Sequence, residues 1–164
     1  LNPSSAASDV YKRQVPILSS SRFSQILSIR LVLEGLAVEK ATENITQSEV
    51  EELSKLHAKF VAAEANQERL KAQSLNRRIH FLIYDRANMP MLMSSILNLW
   101  AKMGPILRVY YSERIDDTRR APDHLNLFEA LGAKDCSRAV AAVQADIIHG
   151  CSAIGNYIRE LEDS

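Results

Sequence analysis

Leu75 to Pro90 reads LNRRIHFLIYDRANMP, and how this stretch is read decides the fold. Ile79, Ile83 and Ala87 recur at helical steps, with Asn76, His80 and Tyr84 on the same side, four residues apart. Asn88 tolerates the left-handed conformation that closes a helix, and Pro90 suits the first turn of the next one. The expectation is a helix over roughly Glu68 to Arg86, followed by a sharp turn.

Working outward, the same period governs the rest. Phe23, Leu27, Arg30, Leu33, Ala37 and Ala41 form a stripe on a first helix capped by Ser20 or Ser21. Thr46-Gln47-Ser48-Glu49 is a capping box and opens a second helix, with Val50, Leu53, Leu56, Phe60 and Val61 inward. His57 sits among charged neighbours and is expected at the surface. A fourth helix covers about Met91 to Tyr111 and should kink or break at Gly104-Pro105. Ser112 to Pro122 reads as polar loop. A fifth helix spans Asp123 to Leu131 and stops at Gly132. A sixth, capped by Asp135 or Ser137, runs to about Leu161. No strand alternation persists, so the fold class is all-α: an antiparallel bundle of six helices.

Composition agrees. The 164 residues suit one domain with a real core, and Gly and Pro are scarce, at five each. Twenty acidic residues balance twenty basic ones, leaving no basic surplus to mark a nucleic-acid binder. No apolar run reaches the roughly 18 to 20 residues of a membrane helix. Cys136 and Cys151 make no CxxC motif, so a reducing cytoplasm is the expected location. Leu1 to Ser19 is Ser-rich and aperiodic, a linker or tail. Within it, SSAASDVYKRQ looks like translated adapter sequence from environmental fragments, so residues 1–14 are set aside and 20–164 taken as the helical domain.

Asn76 and His80 offer two side chains about one turn apart, a common way for a helix to supply half of a metal site. In the sixth helix, Ala139, Val143, Ile147, Gly150, Ile154 and Tyr157 form one stripe, with Asp146 at its edge. A carboxylate there is costly unless paired or coordinated, and His80 and His124 are candidate partners. His149 competes from spacing alone. Satisfied core polar groups would explain all of these as well. Arg30 has two readings: a stem packed in the core with its head on Glu34, or a cation for an anionic ligand. Arg108 is either a second such cation or solvated. Tyr84 and Asn98 either line a cavity or serve packing.

From about Phe23 to Glu162 the chain resembles the effector-binding domain of GntR-type transcription regulators of the FadR subfamily. The carriers are IRLVLEGLAVEKA (29–41), NRRIHFLIYDRAN (76–88), LWAKMGPILRVYY (99–111) and DHLNLFEALGAKDCSRAVAAVQADI (123–147). The resemblance implies the six- to seven-helix bundle of the FadR C-terminal (FCD) domain and a pocket for small organic acids. It also implies a homodimer, and DNA binding through an N-terminal winged helix-turn-helix that these residues do not contain. Metal-binding members use an Asp four residues before a His, then two further His. Those positions here are Asn76, His80, His124 and Asp146, so Asn replaces the usual Asp and Asp replaces the third His. Such a set could still take Zn²⁺ or Ni²⁺ with positions open to an effector carboxylate. A metal-dependent hydrolase and a helical interaction module without ligand are the competing functions, and no HExxH motif, nucleophile motif or Gly-rich phosphate loop supports the enzyme.

Overall fold

The computed structural model describes residues 18–113 and 123–163. The expected linker up to residue 17 lies outside the described residues, as does the polar loop expected over 112–122 from residue 114 on; its first two positions, 112 and 113, belong to the fourth helix instead. Six helices follow in order: α1 (Ser20–Asn44), α2 (Gln47–Ala65), α3 (Arg69–Asp85), α4 (Pro90–Glu113), α5 (Asp123–Gly132) and α6 (Cys136–Glu162). Among the described residues there is no strand, and the all-α bundle expected from periodicity is what forms.

The N-cap of α1 is Ser19, whose side chain accepts from the backbone N–H of Arg22, one residue earlier than the Ser20 or Ser21 expected. Its buried face is Phe23, Ile26, Arg30, Glu34, Ala37, Val38 and Ala41. Leu27 and Leu33, expected on that stripe, are only half-buried at its edges. The capping box of α2 is complete: Thr46 Oγ accepts from Glu49 N, and Thr46 N donates to Glu49 Oε2 at 2.8 Å. Val61 corrects the expectation for α2, being 50% exposed rather than inward. It lies one residue beyond buried Phe60, about 100° around the helix.

Three non-glycine residues with positive φ close helices: Gln67 (φ 57°) after α2, Asn88 (φ 54°) after α3 and Lys134 (φ 59°) after α5. Asn88 was legible as such. The sequence predicts that α5 stops at Gly132; Gly132 is still helical, and Lys134 makes the left-handed turn. Here Asp135 N bonds back to Ala130 O, in the closing pattern of a Schellman turn. Asp135 then caps α6, accepting from Arg138 N at 3.0 Å.

Of the kink or break expected at Gly104-Pro105, the break does not occur; α4 runs through it. Proline removes one donor, and the carbonyl so released is that of Ala101, an exposed residue whose oxygen can turn to water. Met103 and Ile106 on the opposite face stay buried and hold the helix in place.

Helix α6 is the spine, with α1 and α5 laid along it, α2 against α3, and α1 also touching α3 and α4. Its buried residues include Val143, Ile147, Cys151, Ile154 and Ile158, whereas Gly150, expected among them, is exposed. Gly155 allows the closest approach: a Cβ there would stand 3.0 Å from the Phe23 ring. Ile79, Ile83, Leu127, Leu131, Val143 and Ile158 are almost wholly removed from water. Each contributes about 1.5–3 kcal/mol of transfer free energy, enough to fix how α3, α5 and α6 face one another. That juxtaposition positions the site.

Candidate metal and effector site

His80 on α3, His124 at the start of α5 and Asp146 on α6 converge, with one donor atom from each lying within 4.8 Å of the others. His80 Nε2 is 3.0 Å from Asp146 Oδ2, and His124 Nε2 is 3.7 Å from Asp146 Oδ1. Both imidazoles are buried, while the Asp146 side chain keeps 21% of its surface exposed. The inward carboxylate flagged by its place at the edge of the α6 stripe therefore meets both imidazoles. His149, its competitor in the sequence, is exposed and stands apart from the group.

Hydrogen bonds behind the imidazoles fix which way they face. The hydroxyl of Tyr84 donates to Glu34 Oε2, so its oxygen accepts from His80 Nδ1–H at 2.9 Å. The remaining nitrogen, Nε2, is turned to Asp146. Burial beside the Glu34 carboxylate holds the Tyr84 phenol well above its ordinary pKa, so it stays a donor. Behind His124, His57 Nδ1 lies 3.2 Å from His124 Nδ1. Burial lowers the His57 pKa and keeps that ring neutral, able to accept. With His124 Nδ1–H as the donor, His124 Nε2 also faces the carboxylate with its lone pair.

Two imidazole nitrogens and a carboxylate oxygen, each imidazole oriented by a partner on its far nitrogen, fit a divalent ion. Donors bonded to zinc at about 2.0–2.2 Å lie within about 4.4 Å of one another, close to the present spacing. Asn76 is half-buried in the cavity wall one turn before His80 and is outside the converging trio.

The trio opens into a cavity of about 1090 Å³, walled by Trp100, Met103, Leu107, Ile147 and Ile154 among others. Arg30 lines it too, yet its Nε donates to Glu34 Oε1 at 2.6 Å and its guanidinium lies 4.8 Å from the Trp100 ring centre. The packed stem with its head on Glu34 is therefore the arrangement adopted. Arg108 is exposed and lies on the cavity wall. Tyr84 is buried behind the wall, reaching the site through His80. Asn98, expected along the cavity, is exposed and outside it. It precedes Trp100 by two residues, about 200° around α4, and so faces away. Cys151 lies on the wall with Sγ 3.5 Å from Arg30; burial raises its pKa, so it is a thiol.

Sequence reasoning missed the full roles of three residues, although it named Glu34 as a partner for Arg30. Glu34 is fully buried and accepts from Arg30, Tyr84 and Trp100 Nε1. His57 is 8% exposed, not at the surface. Its spacing from Leu53 and Phe60, four and three residues, would have placed it on the buried stripe; the lysines at 55 and 59 point the other way. Trp100 carries the contacts of His80, Phe81 and Arg30 on one indole.

The family model of the FCD domain matches residues 25–149. The chain is 34% identical over 136 residues to the HTH-type transcriptional regulator McbR of Escherichia coli K12, covering 79% of this chain and 61% of that protein. A solved structure, "E. coli McbR/YncC", superposes with a TM-score of 0.82 at 29% identity, covering 87% of this chain and 72% of the other. The chain thus spans about three fifths of the curated relative it matches. By this match, and by the four segments in which the resemblance was read, the chain belongs to the FCD domain family and is homologous to McbR.

Proposed function

We propose that this domain is the ligand-sensing and dimerising part of a cytoplasmic, bacterial GntR-type DNA-binding transcription regulator. It takes a small carboxylate effector through a divalent ion, zinc or nickel, held by His80, His124 and Asp146, with Asn76 beside them. The observation that carries the reading is the convergence of these three side chains, from three different helices, at the wall of a large cavity. When bound, the ion supplies a Lewis-acidic point for the effector carboxylate. The protein's own contribution is to hold both imidazoles in the ligating tautomer through Tyr84 and His57, and to surround the effector with apolar wall. Trp100 and the Arg30–Glu34 pair set the shape of that wall.

DNA contact is assigned to an N-terminal domain, since the name of the homologous regulator describes a helix-turn-helix protein and the FCD match covers residues 25–149. Dimerisation is assigned to exposed apolar residues on the first and fourth helices, Ile29 and Val32 on α1 with Met91 and Leu97 on α4. The reading is of a sensor and not an enzyme, because nothing in it requires a bond to be made or broken. Among the described residues no helix is long and apolar enough to cross a membrane.

The test is metal uptake. Protein stripped with chelator and reloaded should hold about one zinc per chain by elemental analysis, and His124→Ala and Asp146→Ala should lose it. Unchanged zinc content in both variants would refute the site.

A further inference from the structure

The three ligating side chains occupy only one part of a cavity whose volume of about 1090 Å³ lies just above the usual range for small-molecule pockets, about 300–1,000 Å³. An effector consisting of little more than one carboxylate would leave most of it unfilled. The rest of the wall mixes apolar residues with Gln67, Glu68, Gln73, Ser74, Asn76 and His149, and it also carries a group of cations. Elsewhere in the fold some basic side chains have a carboxylate partner: Lys40 has Glu43, Arg86 has Glu49 and Arg138 has Glu129. On the cavity itself Arg30 is matched by Glu34 and Lys71 by Glu68. Arg77 and Arg108 both line the cavity, and among the described residues neither stands within ion-pair distance of a carboxylate.

Arg77 is moreover held in place. Its guanidinium lies 4.7 Å from the Phe81 ring centre and 5.8 Å from that of Trp100. The same Trp100 ring lies 5.8 Å from the ring of His80. The guanidinium and the ligating imidazole are therefore no further apart than twice that distance, with one indole between them. Stacking on aromatic faces leaves the N–H edge of a guanidinium open to accept an anion, in a geometry suited to a carboxylate or phosphate.

We infer that the effector is an elongated dianion: one carboxylate at the His80–His124–Asp146 end, and a second anionic group, carboxylate or phosphate, received by Arg77 and Arg108. This rests on the metal reading above and adds to it the charge and length of the effector. The aliphatic segment between the two charges lies along Trp100, Met103 and Leu107, which supply the apolar wall between the two ends.

Calorimetric titration of the zinc-loaded chain tests this with three probes of similar length: glutarate, 3-phosphonopropionate and the monoanion butyrate. Zinc uptake is measured first, so a protein that takes up none overturns the metal reading and this one with it. Given uptake, glutarate or 3-phosphonopropionate should bind at least tenfold more tightly than butyrate, and the better of the two identifies the second group. Arg77→Gln and Arg108→Gln should each bring the dianion-to-butyrate ratio toward one. Both changes are at exposed positions, and zinc content with far-UV circular dichroism confirms the variants are folded. Butyrate binding as tightly as both dianions, or a ratio unmoved in both variants, overturns the inference and leaves the metal site standing.

Discussion

Replacing Glu34 by alanine should damage the domain in two measurable ways. Glu34 is fully buried and is the common acceptor for the Arg30 guanidinium, the Tyr84 hydroxyl and the Trp100 indole N–H. Its loss leaves a guanidinium that is 7% exposed without its counter-charge. Breaking a buried pair from one side costs about 3–5 kcal/mol, and the cavity beside Arg30 admits water, which argues for the lower end, about 3 kcal/mol. With a urea m-value of about 2 kcal/mol/M, the unfolding midpoint should fall by about 1.5 M. The double variant Arg30→Met, Glu34→Leu should recover at least half of that loss, because most of it belongs to the stranded charge. The second effect is on metal. Without Glu34 the Tyr84 proton is released to donate to His80 Nδ1, which turns Nε2–H toward Asp146 and blocks it as a ligand. Loss of such an outer partner lowers metal affinity about 10- to 100-fold. Urea titration followed by circular dichroism and zinc competition against a chromogenic chelator read the two effects. A loss below about 1 kcal/mol with unchanged zinc affinity would refute the idea that Glu34 organises the site.

Two further expectations concern the frame. Thr46→Ala removes the cap of α2 and should cost about 1 kcal/mol in chemical unfolding. The Thr46 backbone and hydroxyl hold the Glu49 carboxyl below its ordinary 4.5, so the contribution of Glu49 is complete above that value and disappears as pH falls through the depressed one. The stability gap between the parent and Glu49→Gln should therefore close on acidification, and a gap that widens would contradict the sign. Gln67 has φ 57° at an exposed turn, so Gln67→Gly relieves a left-handed side chain. After the extra unfolded-state freedom of glycine is subtracted, a gain of up to about 1 kcal/mol remains, visible as a higher melting temperature. A drop in melting temperature would count against this account of the α2–α3 turn.

The helices were legible because each carries a period and most carry a written terminus. The capping box at Thr46–Glu49 and the Asn88 turn are local events, decided by atoms within four residues of one another. Where the reading slipped, something non-local or solvent-dependent decided. Pro105 leaves α4 unbroken because the donor it lacks would have bonded an exposed carbonyl, and exposure is a tertiary property. The helix expected to stop at Gly132 closes through Lys134 instead, whose ammonium donates to the carbonyl of Ile45 at the end of α1, a contact no window of sequence contains.

The site divides along the same line. His80 and Asp146 could be flagged because a polar side chain on an apolar stripe announces a partner, and the structure brings them to 3.0 Å. Their outer partners could not be found that way. Glu34 sits four residues after Arg30, which makes an ordinary i, i+4 pair in sequence; only the arrival of α3 and α4 turns it into an acceptor for Tyr84 and Trp100 as well. His57 looked like surface because its neighbours are charged, yet adjacency in a helix is not adjacency in space. Lys55 and Lys59 lie two residues away on either side, on the opposite face, while Leu53 and Phe60 share the face of His57. Charge counted along the chain therefore misassigns such a histidine, and charge counted around the helix assigns it correctly. The same counting explains why a ligating set written Asn76, His80, His124 and Asp146 converges in three of its four members. Asn76 shares a face with His80, but the bundle brings α5 and α6 to the level of His80, one turn further along α3.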